Sequence, residues 1–203
     1  MTLKNHILCS ANLEEMTDID GQVTDMLLKL YYELTLGRAG LIITGVSSVC
    51  ADGRARIHQI GVWSDSHIDG LNRLSTVIHK YGTGCKCAVQ LHHAGELSYL
   101  NSSQQKNDSL HNPQIWNLEK TKQVISSFGE AAKRVKKAGF DAVTVHGAHG
   151  YLMSQFLSSA LNKRTDDWGG ALINRMRFPL KVCTAIREQV GADFPYIMEN
   201  ERL

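Results

Sequence analysis

The 203-residue sequence contains no apolar run that approaches the roughly 18–20 residues of a membrane-spanning helix. Its first residues carry only a short apolar run at 7–9, so they lack the core of a secretory signal peptide. The net charge is only +2, and the lysines and arginines are scattered. No basic stripe or patch therefore indicates binding to nucleic acid or to a membrane surface.

The sequence also lacks short-period repeats and low-complexity tracts. Its cysteines are odd in number and lie mainly in apolar runs, which favours reduced core thiols in a cytoplasm. Cys85 and Cys87 share one side of a predicted strand, where a metal pair is one interpretation and packing is the other. We predict packing, and no metal. The five cysteines are Cys9, Cys50, Cys85, Cys87 and Cys183.

What the sequence does contain is a repeated strand–loop–helix unit in an ordinary globular composition, 43% hydrophobic and 21% charged. That repeat predicts a parallel sheet with right-handed crossovers. Apolar patterning predicts strands at 5–12, 41–46, 85–91, 140–145 and 194–198, and helices at 24–36, 64–82, 121–138, 152–158 and 174–190, the last with a kink at Pro179.

The stretch 139–170 organises the chain. Its apolar run 140–145 lies between glycines and predicts a buried strand, after which His146, His149 and Tyr151 follow within six residues. Side chains that handle protons at the carboxyl end of a buried strand are typical of an α/β active site. Spacing alone also allows two structural histidines or a helix-surface coincidence. Zinc is disfavoured, because no Glu follows the first His and no Cys pair is near.

The segment AGFDAVTVHGAHGYLMSQFLSSALNKRTDDWGGALINRMRFPL, residues 138–180, resembles the signature region of the old yellow enzyme family. These are FMN-dependent ene-reductases and NADH:flavin oxidoreductases on a (β/α)8 TIM barrel, and weaker resemblance covers nearly the whole chain. A complete barrel takes roughly 250 residues. The resemblance therefore implies one partial TIM-barrel domain over 1–203, covering about strands one to five with the carboxyl half missing.

The resemblance also implies FMN contacts where the first three strands end. Gln90 matches a glutamine that hydrogen-bonds the polar edge of the flavin ring, a task for which an amide offers both a donor and an acceptor. Ala11 and Asn12 depart from the family pattern, which has Pro and Met there. The implied FMN-binding positions are Ser10, Ala11, Asn12, Leu13, Val46 and Gln90.

The chemistry that the resemblance implies is reduction of an activated alkene, such as an enone, with NADH or NADPH as the source of electrons. His146 and His149 match the pair that hydrogen-bonds the substrate carbonyl, and Tyr151 matches the residue that delivers a proton to the α-carbon. A strand-five arginine of the family has no clean match, since the nearby Arg202 is out of register. In the loop 51–63, Arg54 is either a contact for an anion or part of a solvated surface.

An alternative of a different class is a flavin-free half-barrel that is inactive alone and self-associates or pairs with a complementary chain. Its open sheet edges and apolar inner face favour association. The oxidoreductase hypothesis predicts a yellow protein whose flavin absorbance changes when an electron-poor phenol is added. The alternative predicts a colourless oligomer without alkene reduction.

Overall fold

The computed structural model describes residues 1–102 and 112–200. In this part of the chain, five parallel strands form one curled sheet in sequence order. The predicted parallel sheet and incomplete barrel are therefore confirmed. The strands are β1 (Leu8–Cys9), β2 (Leu41–Ser48), β3 (Lys86–His92), β4 (Ala142–Gly147) and β5 (Tyr196–Asn200).

Helices connect the strands and pack on the outer face of the sheet. The first begins at a threonine cap, since the Thr24 hydroxyl accepts a hydrogen bond from the Leu27 N–H at 3.2 Å. None of the helices among the described residues has the length and apolar character needed to cross a bilayer. They are α1 (Asp25–Leu36), α2 (Ile68–Tyr81), α3 (Tyr99–Ser102), α4 (Leu118–Lys137), α5 (Leu152–Leu157), α6 (Leu172–Arg175) and α7 (Arg177–Val190).

Two predicted elements differ from the structure. The strand predicted at 5–12 is only two residues long, so most of that segment is irregular backbone. The helix predicted at 174–190 is divided at Met176 instead of kinking at Pro179. Pro179 lies in the first turn of α7, where the N–H that proline lacks has no intrahelical partner to lose.

The two faces of the sheet differ in the extent of their apolar packing. On the outer face, large residues of strands and helices form one extensive core, in which the rings of Phe156 and Phe178 stack at 4.0 Å. On the inner face, the buried cluster is small: Leu41, Ile43, Ala88 and Ala142. Few side chains fill the inner face, which leaves room for a cavity above them.

A β-bulge in β2 changes which of its residues face inward. The register with β3 shifts between Thr44 and Val46, so Val46 pairs with Gln90. The Gly45 N–H donates to Glu14 Oε1 at 3.1 Å and to the Tyr31 hydroxyl at 2.8 Å. Only glycine fits here, because a Cβ would lie 2.0 Å from the Asn12 carbonyl oxygen. The bulge therefore turns Val46 toward the inner face.

We expect Phe178→Ala to lower the free energy of unfolding by about 3–5 kcal/mol, because it opens a cavity beneath the stacked rings. Urea denaturation of the full chain measures this change. Leu180→Ala, on the same helix and 51% exposed, is the matched control and should stay within about 0.5 kcal/mol of the parent. Equal effects of the two substitutions would contradict the assigned packing of α7.

Candidate active site

A cavity of about 600 Å³ opens on the inner face of the sheet at the carboxyl ends of the strands. This volume lies within the range of roughly 300–1,000 Å³ that is usual for small-molecule sites. The structure brings all of the sequence-predicted site residues to its wall: Ser10, Ala11, Asn12, Leu13, Val46, Gln90, His146, His149 and Tyr151. Their roles in binding and catalysis remain predictions, which the geometry below makes specific.

Strand register explains why these residues converge. Gln90 pairs with Val46 on one side and with Thr144 on the other, so the three side chains form one row across the inner face. His146 lies two residues beyond Thr144 and pairs with Glu199 of β5, which forms the next row. The polar groups are therefore fixed by rigid strands.

The two predicted histidines contact each other directly. His149 Nδ1 lies 3.2 Å from His146 Nε2, and the ring of Tyr151 is centred 5.4 Å from that of His146. His149 has a φ of 60°, and Gly150 follows with a φ of 71°. A left-handed conformation at a non-glycine residue costs roughly 1–3 kcal/mol and is typical of functional sites. This conformation places the exposed His149 ring beside the buried His146 ring.

His92, which the sequence interpretation passed over, packs behind Tyr151. Their rings meet edge to face at 4.4 Å. Gln59 Oε1 accepts from the Ala55 N–H at 2.7 Å, so Gln59 Nε2 donates to His92 Nδ1 at 3.0 Å. His92 Nδ1 is thus an acceptor and the proton lies on Nε2. Burial, with His146 and His93 nearby, holds the pKa of His92 well below its usual value, so the ring stays neutral.

Glu199 is the second site residue that sequence reasoning missed. Gln90 Nε2 donates to Glu199 Oε2 at 2.5 Å, and the same oxygen lies 3.9 Å from His146 Nδ1. Burial raises the pKa of Glu199, but its contacts with His146, Thr144 and Gln90 outweigh burial and bring it below the ordinary value. The carboxylate is therefore ionised at neutral pH. The alternating pattern of β5 was the sequence signal that could have identified Glu199. The sequence prediction considered Arg202 instead, which lies outside the described residues.

The donor set of the cavity suits a flat, polar-edged ring such as that of FMN. His146 Nδ1 is buried and has no hydrogen-bond partner within the described chain, so it offers an unused polar atom beside the cavity. The Gln90 amide offers a donor and an acceptor. An apolar wall of Leu8, Ala11, Ile43 and Val46 matches a ring face. Glu199 is the exception, since a carboxylate repels electron density gained by a bound flavin.

Two charged features of the chain are structural. Arg54 is buried and donates to the carbonyl oxygens of Ala51, Ile19 and Ile57, so it neither meets an anion nor belongs to a solvated surface. The charged loop 162–167 is held in place by Arg164, which donates to the following groups: Pro113 O at 2.5 Å, Trp116 O at 2.9 Å, and both carboxylate oxygens of Asp166.

Comparison with known proteins agrees with this geometry. An NADPH dehydrogenase of Bacillus pumilus (strain SAFR-032) is 40% identical over 195 residues, which are 93% of this chain and 57% of that protein. Old yellow enzyme from Pichia sp. AKU4542 superposes with a TM-score of 0.86 at 28% identity, over 97% of this chain and 55% of that one. Morphinone reductase gives 0.84 at 26% identity, over 98% and 58%.

The chain spans about half the length of the curated relatives that it matches. The family model for NADH:flavin oxidoreductases and NADH oxidases matches residues 1–199. A match over nearly the whole chain, together with these relatives, implies FMN and a nicotinamide as the cofactors of the family. The chain belongs to the NADH:flavin oxidoreductase / NADH oxidase family.

Proposed function

We propose that this chain forms, as one domain over 1–203, the catalytic wall of an FMN-dependent oxidoreductase that reduces activated alkenes in the cytoplasm. The observation that carries the proposal is the convergence of Gln90, His146, His149 and Tyr151 on one cavity. NADPH is the favoured reductant, because the curated relatives are named NADPH dehydrogenases. NADH is the second candidate for the reductant, because a morphinone reductase relative forms a complex with tetrahydroNAD.

The residues at the ends of the first three strands would hold the flavin. Ser10, Ala11, Asn12 and Leu13 edge the cavity with backbone and small side chains, and Val46 lies inward because of the bulge. Gln90 would hydrogen-bond the ring's imide edge. When bound, FMN supplies the hydride that the nicotinamide has delivered to it.

His146 and His149 would hold the carbonyl oxygen of the alkene substrate. Their nitrogens lie 3.2 Å apart and share one hydrogen bond. A carbonyl oxygen entering between the rings would replace that bond. The nitrogen that accepts in the bond would take up the proton of its own ring by a tautomer shift, so that both rings donate an N–H to the oxygen. These donors stabilise the negative charge that develops on the oxygen when hydride adds to the β-carbon, as in an oxyanion hole.

Tyr151 would complete the reduction by giving its phenolic proton to the α-carbon. A phenol stays protonated at neutral pH and can donate as carbanion character develops. The product gains one hydride and one proton, and solvent returns a proton to the phenolate. Neutral His92, packed edge to face against the Tyr151 ring, positions it without adding a competing charge.

The alternative, a flavin-free half-barrel that self-associates or pairs with a complementary chain, has one structural observation in its favour. Within the described residues, β1 and β5 are the outer strands of an open sheet. Exposed strand edges promote pairing with another chain. The flavin measurement that follows separates the two functions.

We expect the full chain to bind FMN, giving a yellow protein whose flavin absorbance shifts when an electron-poor phenol enters between the histidines. Absorbance titration with FMN, followed by the phenol, measures both steps. The double variant His146→Ala/His149→Ala should keep the flavin spectrum and lose the phenol response. A colourless protein that is oligomeric by size-exclusion chromatography would favour the alternative.

We expect Tyr151→Phe to slow alkene reduction by about 10²-fold or more, because a general acid contributes about 10²–10⁴-fold. Reduction of the bound flavin by NADPH should be unaffected, since it does not use the phenol. Stopped-flow absorbance resolves the two half-reactions. Tyr81→Phe, a surface tyrosine that is 44% exposed, is the control; an equal loss in both half-reactions would argue against a proton-donating Tyr151.

We expect Glu199→Gln to raise the reduction potential of the bound flavin, because it removes a negative charge that opposes electron uptake. A change of about 30 mV corresponds to about 1.4 kcal/mol for a two-electron couple. Spectroelectrochemical titration measures the potential, and Glu188→Gln, on the exposed side of α7, is the control. An unchanged or lower potential would show that the carboxylate does not act on the flavin.

A further inference from the structure

A cluster of three metal-ligand side chains lies at the amino end of β3, opposite the end that carries the cavity. His79 belongs to the last turn of α2, Cys87 is the second residue of β3, and Asp141 directly precedes β4. Three separate elements therefore meet at these side chains. Their ligand atoms all lie within 4.8 Å of one another.

The spacing of the three atoms approaches that of a tetrahedral zinc site. Zinc bonds of about 2.0–2.3 Å to N, O and S place neighbouring ligand atoms about 3.3–3.6 Å apart. Cys87 Sγ lies 3.4 Å from His79 Nε2 and 3.7 Å from Asp141 Oδ2. His79 Nε2 and Asp141 Oδ2 lie 2.7 Å apart, the distance of a hydrogen bond. Replacing that shared proton with a metal ion requires only a small opening of the pair.

Outer contacts hold the carboxylate in a ligating orientation. Lys86 Nζ donates to Asp141 Oδ1 at 2.8 Å, and the Cys87 N–H donates to Oδ2 at 2.9 Å. Metal-bound carboxylates usually carry such second hydrogen bonds, which fix their direction. Asp141 therefore keeps a lone pair of Oδ2 directed at the His79–Cys87 gap while Oδ1 is held by the lysine.

We propose that His79, Cys87 and Asp141 form a binding site for a zinc-like divalent cation, with water as the fourth ligand. The open position follows from exposure, because the His79 side chain is 38% exposed while Cys87 is fully buried. On binding, the Cys87 thiol loses its proton to solvent, and the proton that His79 Nε2 shares with Asp141 moves to His79 Nδ1. The sulfur and His79 Nε2 then bond to the metal, with no change of oxidation state. The ion would clamp the end of α2 to the starts of β3 and β4.

The competing explanation is a hydrogen-bonded cluster that holds no metal. Burial, followed by the Asp141 carboxylate, raises the pKa of the Cys87 thiol, so an ion must displace a tightly held proton. One other such group, Cys50, Asp52 and His93, occurs among the described residues. That second group serves as an internal control.

The test is a titration of the chelator-treated full chain with Co²⁺, followed by displacement with Zn²⁺. We expect a thiolate-to-cobalt charge-transfer band at one equivalent, with absorption typical of four-coordination. His79→Ala should weaken binding by at least about tenfold, and Cys87→Ser should abolish the thiolate band. Cys50→Ser should leave both unchanged. Cys87 is buried, so a substitution there disturbs packing. If Cys87→Ser fails to fold, His79→Ala, at an exposed position, tests whether the cluster binds the metal.

Three results would overturn the proposal. The first is the absence of a thiolate band at stoichiometric Co²⁺ in the parent chain. The second is binding of equal strength by His79→Ala, which would show that the histidine is no ligand. The third is loss of the band in Cys50→Ser, which would assign the metal to the other group. None of these readouts depends on flavin or on alkene reduction, so the result is independent of the proposed function.

Discussion

Alternation of side chains along parallel strands is the constraint on which the cavity depends. Neighbouring strands are in register, so residues two apart on each strand fall into rows on the inner face. Gln90 and Thr144 share one row, and His146 and Glu199 share the next. A shift of one residue in any strand would turn its polar groups into the outer core, where bulky apolar side chains leave no space for them.

Among the strands of the described residues, simple alternation fails at the bulge in β2. Unbroken alternation from Leu41 and Ile43 would place Gly45 inward and Val46 outward. The register shift reverses this, and the Gly45 N–H leaves the ladder to bind Glu14 and Tyr31. Burial raises the pKa of both of these side chains, and Tyr31 itself is only 1% exposed. One local irregularity, held by two distant residues, thus shapes a wall of the cavity.

Charge in the cavity is unevenly arranged. His92 is kept neutral by burial, whereas Glu199 is kept ionised by His146, Thr144 and Gln90 in spite of burial. The carboxylate also engages the amide of Gln90, the residue with the clearest expected role toward a flavin. A cofactor that enters the cavity must share this amide with Glu199. Through this hydrogen bond β5 affects how a cofactor binds to Gln90, which the turn that carries His149 does not do.

The sequence by itself determined the strand–helix repeat, the parallel sheet and the buried strand that presents His146, because hydrophobic periodicity and glycine punctuation are local properties. The resemblance over the segment 138–180 also identified the family. Together with the weaker resemblance over the rest of the chain it suggested nine site positions, all of which line one cavity. Only the tertiary structure decided the bulge at Gly45, the burial of Arg54, and the hydrogen bonds of His92 and Glu199. Each of these depends on partners from distant parts of the chain, such as Tyr31 for Gly45 and Gln90 for Glu199, and a contact made across the fold leaves no periodic signal in the sequence.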